Sequence, residues 1–215
     1  MLLLGPRQVG KSTLIQSLKT DIEFNLSQQS LFLDFIRNPS FLEERLKSEL
    51  PNGGLVFIDE VQRIPSLLNT IQFLIDKKVG YQFILTGSSA RKLKRGKANL
   101  LPGRIHTYEL GPLVAGELEY TADSAELLKF GSLPGIWTEK NEREKKKVLK
   151  SYAITYLNEE IKAEALTKNI EGFTRFLFQM AADSSQFLDL AKISNAAAVP
   201  RQTAQRYFEI LEDTL

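Results

Sequence analysis

The chain has 215 residues, enough for one large domain or two small ones, and 43% of them are hydrophobic, so a real core can form. The formal net charge of +2 is close to balance, and composition alone indicates neither a polyanion partner nor a membrane surface. The sequence has no cysteine and a single histidine, His106. These counts exclude disulfides, thiol catalysis and metal sites built from cysteine or several histidines.

The compartment is predicted from what the chain lacks. No apolar run approaches the length of a membrane span, and the leucines at positions 2–4 are too few for a signal peptide. We therefore expect a cytoplasmic protein. Both ends look cut, because Met1 already lies in a predicted strand and residues 210–215 finish a helical pattern without a cap. We expect a longer protein of which this is a piece.

A phosphate-binding loop is predicted at the start of the chain. Residues 5–12 have the pattern G-x-x-x-x-G-K-S, after an apolar strand and before a helical pattern from about Lys11 to Lys19. The glycines allow a tight turn, the backbone N–H groups that follow hold a β-phosphate, and the helix start adds the positive end of its dipole. An ordinary glycine-containing turn is the alternative. The predicted nucleotide-binding residues are Gly5, Pro6, Arg7, Gln8, Val9, Gly10, Lys11, Ser12 and Thr13.

Two carboxylates follow a buried strand. Residues 55–58 are apolar and lead into Asp59 and Glu60, so the strand delivers both acids to its carboxyl end, where ligands bind in open α/β sheets. With Lys11 between the β- and γ-phosphates, Ser12 and Asp59 are the expected Mg²⁺ partners, and Glu60 has the position of a base that orients water. A strand end followed by a helix-capping acid is the alternative reading.

A second strand end carries hydroxyl groups. The predicted buried strand from Tyr81 to Leu85 is followed by Thr86 and Ser88, either of which can reach a γ-phosphate and the attacking water. A polar turn is the alternative. The other predicted elements of this half are a second strand at residues 31–36, helices at 41–50 and 65–77, and a fifth strand at 105–110. The basic segment 91–97 is either a solvated face or a loop that meets phosphates.

Helical patterns replace strand patterns from about residue 113. The predicted elements are short helices at 114–120, 124–130 and 187–193, a rigid apolar turn at 131–137, a small-residue turn at 194–199, and helices at 141 to about 165, 172–182 and 201–211. The helices at 187–193 and 201–211, with the turn between them, form a helix-turn-helix pattern. Its polar side, where base edges would be read, consists of Arg201, Gln202, Gln205 and Arg206. A helical hairpin that only packs or binds protein is an equal alternative.

With these motifs in place, the chain resembles the AAA+ ATPases. More closely, it resembles a bacterial and archaeal family in which the ATPase precedes a C-terminal domain of uncharacterised function. The resemblance implies an α/β fold of the P-loop NTPase class, with a five-stranded parallel sheet flanked by helices. The expected domains are an ATPase core at 1–112, a helical lid at 113–183 and the start of a winged helix at 184–215. The segments that carry the match are 5–12, 59–62, 85–89, 103–104, 110–113, 133–135 and 207–214.

The resemblance also implies roles. It implies Mg²⁺-dependent ATP hydrolysis that drives or gates an attached effector, with Thr86 or Ser88 sensing the γ-phosphate. Arg104 matches an arginine finger that acts on the nucleotide of a neighbouring subunit, which implies a homo-oligomer; a structural arginine is the alternative. In longer relatives the C-terminal part resembles a nuclease-like core. This chain stops before it, so no nuclease residues are assigned.

Three other functions are alternatives to ATP hydrolysis. A GTPase usually reads guanine with Asn-Lys-x-Asp after a late strand, and residues 86–89 stand at a comparable strand end instead. A DNA-binding regulator switched by nucleotide, with little turnover, is favoured by the polar side of the last helix. A small-molecule kinase would need a dedicated substrate-binding insertion, and none is recognisable in the sequence.

Overall fold

The computed structural model describes residues 1–88, 93, 103–156 and 170–214. The chain forms two compact units, Met1–Thr121 and Ala122–Leu215. The first unit contains the sheet, and the second unit is helical in its described part. The basic segment predicted at 91–97 lies outside the described residues, apart from Leu93.

The sheet of the first unit has five parallel strands in the order β2-β3-β4-β1-β5. Strand β4 therefore separates β1 from β3, with Leu2 of β1 opposite Leu85 and Leu55 of β3 opposite Gln82. Because all strands are parallel, their carboxyl ends share one edge. The prediction of a five-stranded parallel sheet is confirmed. The strands are β1 (Leu2–Leu4), β2 (Ile22–Asn25), β3 (Gly54–Asp59), β4 (Tyr81–Gly87) and β5 (Thr107–Glu109).

Helices cover both faces of this sheet, which explains why its central strands are almost entirely apolar. On one face Ile15 of α1 packs with Leu3, Phe57 and Ile84. The other face holds a larger core to which α2, α3 and α4 contribute, and Val56 of β3 is fully buried there. The helices are α1 (Lys11–Gln16), α2 (Gln29–Arg37), α3 (Phe41–Glu49) and α4 (Leu67–Asp76).

The predicted second strand at residues 31–36 is wrong, because this run lies inside α2. Leu31, Phe32 and Phe35 all pack on the main core, a spacing that suits one face of a helix. The actual β2 is the short segment Ile22–Asn25, in which only Phe24 is buried. A six-residue apolar run does not distinguish a strand from a helix by periodicity, and a four-residue edge strand has too few apolar residues to be noticed.

Two further predictions near residues 114–137 are also wrong. The short helix predicted at 114–120 is a series of turns, since Glu119 and Tyr120 have φ of 52° and 56° and cannot continue a right-handed helix. The rigid turn predicted at 131–137 contains a helical turn, Pro134–Thr138. Proline at the first helical position has the φ that a helix requires and loses no hydrogen bond there.

In its described part, the second unit consists of helices of 5 to 15 residues. Its last three helices enclose a core in which the Phe173 and Tyr207 rings meet edge to face at 4.9 Å, with Phe176 beside them. Of the helix predicted from 141 to about 165, the described part is Glu142–Tyr156. The helices are α5 (Ser124–Phe130), α6 (Pro134–Thr138), α7 (Glu142–Tyr156), α8 (Ile170–Ala182), α9 (Leu190–Ala196) and α10 (Arg201–Thr214).

Helix α9 starts three residues later than the predicted helix at 187–193. The side chain of Asp189 accepts hydrogen bonds from the N–H groups of Ala191 and Lys192, at 2.9 and 3.0 Å, and so caps the helix at its start. An N-terminal cap of this kind sets where a helix begins. Phe187 and Leu188, which supplied the apolar pattern, precede the cap and are exposed.

Candidate functional site

The loop between β1 and α1 depends on two glycines for different reasons. Gly5 has φ of 149°, and a Cβ atom placed on it would lie 2.0 Å from the carbonyl oxygen of Leu110. Gly10 precedes α1 with φ of 94°, a left-handed conformation, and has open space around it. Gly5 is therefore required by contact with a neighbouring segment, and Gly10 by the backbone turn itself.

Lys11 is held against the backbone of this loop. Its side chain is buried, and its Nζ donates to the carbonyl oxygens of Gly5 and Pro6 at 2.8 and 2.6 Å. The ammonium group thus lies close to the loop that the motif assigns to phosphate. Of the other predicted loop residues, Val9 is buried, which anchors the loop, and Gln8 is exposed with a left-handed φ of 64°.

One hydrogen bond joins the loop to the acid pair. The hydroxyl of Ser12 donates to Oδ2 of Asp59 at 2.9 Å, across the intervening strand β4. Among the described residues no group of three or more acidic or histidine side chains could hold a metal. Mg²⁺ usually takes one or two carboxylates together with phosphate oxygens and water, so one hydroxyl and one carboxylate are a sufficient protein contribution.

The two candidate hydroxyls of β4 make different hydrogen bonds. Thr86 is fully buried, its hydroxyl donates to Oδ1 of Asp59, and its oxygen accepts from the N–H of Glu60 at 3.3 Å. A hydroxyl has one proton, and Thr86 donates it to Asp59, so Thr86 has no proton to donate to a ligand. Ser88 is buried as well, but its oxygen accepts, from Gln62 Nε2 at 3.1 Å. Of these two hydroxyls, only Ser88 has no acceptor for its proton among the described residues.

Glu60 turns the chain sharply after β3. Its φ is 61°, a left-handed value that costs a non-glycine residue about 1–3 kcal/mol and is often found at functional sites. Its carboxylate accepts from Gln62 Nε2 at 2.5 Å. Gln62 lies in the 3-10 turn Val61–Arg63 and was not predicted as a site residue. The sequence signal for Gln62 is its polar side chain two positions after Glu60, the carboxylate that follows β3.

Arg104 lies near the amino ends of the strands, whereas the loop lies at their carboxyl ends. It precedes β5, whose Thr107 is level with Leu2 at the start of β1, whereas the loop follows the end of β1. Its Nε donates to Oδ1 of Asp76, at the end of α4, at 2.8 Å. Arg104 is 39% exposed in its side chain and is not part of the group formed by Lys11 and Ser12.

The predicted polar face of the last helix is present in the second unit. Helix α10 buries Ala204, Tyr207 and Ile210 against α8 and α9. Arg175 of α8 donates from Nε to the carbonyl oxygen of Ala197 at 2.8 Å and so holds the turn before α10. The four predicted residues are exposed and, with Glu209, line a groove of about 540 Å³: Arg201, Gln202, Gln205 and Arg206.

Comparison with protein families assigns residues 1–119, just over half of the chain, to a known family. Residues 1–119 match the model of a family described as an AAA domain. The chain belongs to the AAA domain family. Residues 121–215 match a domain of unknown function (DUF8612), so the change of family falls where the two compact units meet in the sequence. None of the described helices is long and apolar enough to cross a membrane.

The chain spans about half the length of the curated relatives it matches. Uncharacterised proteins of Mycobacterium bovis and Mycobacterium tuberculosis are each 27% identical to it over 217 aligned residues, which cover 100% of this chain and 48% of the relative. These relatives have no described activity. They show that sequences of this kind also occur within longer proteins.

Solved structures with some likeness include a DnaA and an ORC1 protein. DnaA from Aquifex aeolicus bound to AMPPCP is 14% identical, with 99% of this chain and 81% of that chain covered and a TM-score of 0.39. The Aeropyrum pernix ORC1 protein in complex with DNA is 13% identical, with 98% and 76% covered and a TM-score of 0.37. TM-scores this low support no inference about the present chain.

The two loop glycines predict different costs of substitution. Gly5→Ala is expected to destabilise the first unit severely or prevent its folding, because its Cβ would overlap a backbone oxygen that cannot move independently. Gly10→Ala, with open space, should cost only about 1–2 kcal/mol for the left-handed conformation. Chemical denaturation of both variants checks this order. Equal stability of the two variants would contradict the close contact at Gly5.

Proposed function

We propose that the first unit binds and hydrolyses ATP with Mg²⁺. The observation that supports this most strongly is the 2.9 Å hydrogen bond between Ser12 and Asp59, which brings together the phosphate loop and a strand-end carboxylate. In this proposal the loop from Gly5 to Thr13 cradles the phosphates, Lys11 neutralises charge between the β- and γ-phosphates, and Ser12 and Asp59 bind Mg²⁺.

The residues around Asp59 then divide the remaining work. Glu60 orients and deprotonates the attacking water, as a base within hydrogen-bond reach would. Thr86 holds Asp59 in the rotamer that faces Ser12, because the Thr86 hydroxyl donates its proton to that carboxylate. Ser88 contacts the γ-phosphate, because its own proton remains to be donated. Phosphoryl transfer needs positioning and charge more than covalent chemistry, and these groups supply both.

Arg104 is proposed as an arginine finger that acts on the nucleotide of a neighbouring copy. Its place at the amino edge of the sheet, away from its own loop, supports action on another subunit. A guanidinium is planar and permanently charged, so it suits a phosphate whose charge spreads during transfer. This role requires a homo-oligomer and requires Arg104 to exchange its bond to Asp76 for the phosphate.

We propose that the second unit binds DNA and that nucleotide turnover drives or gates it. Helices α9 and α10 follow one another across a short turn and share one core, which a helix-turn-helix requires. The first residues of α10 are where such a motif contacts bases. The exposed Arg201 and Arg206, with the two glutamines between them, supply donors for bases and phosphates. The unit would continue as a winged helix. The alternative function is a nucleotide-switched DNA-binding regulator with little turnover, which the same exposed face favours.

Replacing the proposed base separates binding from hydrolysis. Glu60→Gln should retain ATP binding and lower the turnover rate by about 100-fold or more, because general-base catalysis contributes that much. Glu23→Gln, an exposed glutamate on β2, is the matched control and should turn over normally. Phosphate release and competition binding with ATP and GTP measure both properties. Turnover in Glu60→Gln equal to that of the unchanged protein would refute this role.

The proposed arginine-finger role of Arg104 is tested by replacing each member of the ion pair between Arg104 and Asp76. Arg104→Ala should lower the ATPase rate about 10³-fold at a protein concentration where subunits associate, since that is the usual effect of an arginine finger. Asp76→Ala removes the same ion pair but keeps the guanidinium, so its rate should be maintained. The ATPase rate is measured against protein concentration. A rate that is independent of concentration, or equal losses in both variants, would favour a structural arginine.

DNA binding by the second unit should depend on salt and on α10. In the full chain, the double substitution Arg201→Ala and Arg206→Ala should weaken binding to duplex DNA and lower the slope of log K against log salt concentration by about 2, because two phosphate contacts are lost. Lys150→Ala, an exposed lysine of α7, is the control. Electrophoretic shifts over a range of salt concentrations measure the effect. The absence of any shift at low salt would remove DNA from the proposal.

A further inference from the structure

The side chain of Gln62 lies between two groups of the candidate site. It is only 8% exposed, and its Nε2 donates to Oε2 of Glu60 at 2.5 Å and to Oγ of Ser88 at 3.1 Å. A primary amide has two N–H protons, and both are used here. The amide therefore joins the carboxylate at the end of β3 to the hydroxyl at the end of β4.

The chemistry of the partners fixes the direction of this amide. A carboxylate only accepts hydrogen bonds, so the nitrogen of Gln62 must face Glu60; the reversed amide would place two oxygens against each other. The consequence is that Oε1 of Gln62 is buried and has no hydrogen-bond partner among the described residues. Buried acceptors are nearly always paired, and an apolar side chain of the same size would avoid this cost. Stability alone does not explain Gln62.

The neighbouring strand leaves room for the amide. A Cβ atom placed on Gly87 would lie 2.8 Å from Oε1 of Gln62, well inside contact distance. Gly87 is the last residue of β4 and stands between Thr86 and Ser88, so a side chain there would push the amide away from both of its partners. The lack of a side chain at Gly87 is a second, independent feature that fits the position of Gln62.

We propose that Gln62 is a positioning residue for ATP hydrolysis, which links the group that contacts the γ-phosphate to the group that orients water. This inference depends on the proposed ATPase function. Because Ser88 accepts from Gln62, its own proton is directed to another acceptor, and a γ-phosphate oxygen is the acceptor that ATP supplies and ADP lacks. A phosphate that fixes Ser88 also fixes the amide, and the amide fixes the carboxylate of Glu60. Gln62 acts on turnover and leaves ATP binding unchanged.

The first test removes the amide and keeps the volume of the side chain. Gln62→Met should lower kcat for ATP by about 10- to 100-fold, because a small displacement of a water-orienting group has effects of this size. The KM for ATP and the Kd for a non-hydrolysable ATP analogue should stay within about twofold, and Tm should be unchanged or higher, because a buried unpaired oxygen is removed. The control is Gln82→Met, at an exposed position near the start of β4.

The second test reaches Gln62 through Gly87. Gly87→Ala should lower kcat about fivefold or more in the otherwise unchanged protein, and less than about twofold when Gln62→Ala is already present, because neighbours that act through one contact are not additive. This cycle remains informative if Gln62→Met is poorly folded. Equal effects of Gly87→Ala in both backgrounds would overturn the inference.

The outcomes distinguish this inference from the function on which it depends. An active unchanged protein with the same kcat in Gln62→Met overturns the role of Gln62 and leaves the ATPase proposal standing. A raised KM together with a lower Tm shows a structural role only, and also overturns it. An unchanged protein that neither binds nor hydrolyses ATP overturns the proposed function, and the inference with it. Loss of kcat alone, with the predicted non-additivity, supports it.

Discussion

The hydrogen bond from Ser12 to Asp59 is the contact on which the candidate nucleotide site depends. The two residues are 47 positions apart, on elements that follow β1 and end β3, and β4 lies between those strands. The contact exists because all the strands are parallel and end at one edge, and because buried apolar runs keep β3 and β4 central. The sheet order therefore brings a phosphate loop and a carboxylate together.

Around that contact, hydrogen-bond direction separates residues that look alike in the sequence. Thr86 and Ser88 are both buried hydroxyls at the end of β4, yet Thr86 donates to Asp59 while Ser88 accepts from Gln62. Each hydroxyl has one proton, so its partner decides whether it can still donate to a ligand. A buried network of this kind has few alternative arrangements, which suits the proposed task of positioning water and phosphate.

The remaining functional candidates are not members of this network. Arg104 precedes the start of β5, and its side chain bonds to Asp76. The exposed residues of α10 belong to the second unit, whose core of Phe173, Phe176 and Tyr207 is separate from that of the sheet. The proposed function thus combines one assembled site with two surfaces that need partners.

Much of the first unit could be predicted from local sequence. The glycine spacing of the loop, the apolar run of β3 and the strand-end residues after β3 and β4 are signals between near neighbours, and the structure has these elements in place. The position of β2 could not be predicted, because a short edge strand buries only Phe24 and the more apolar run after it is helical. The turns at Glu119 and Tyr120 could not be predicted, because neither side chain favours the left-handed backbone conformation that these residues adopt.

By itself, the sequence determined which chemical groups are present and which strand or loop carries each of them. Only the tertiary structure decided which groups meet. It placed Ser12 on Asp59, gave Gln62 two partners, one of them 26 residues away, and set Arg104 at the far edge. The reason is physical: propensity and apolar periodicity act over a few residues, whereas the sharing of protons depends on strand order and on the space that a residue such as Gly87 leaves open.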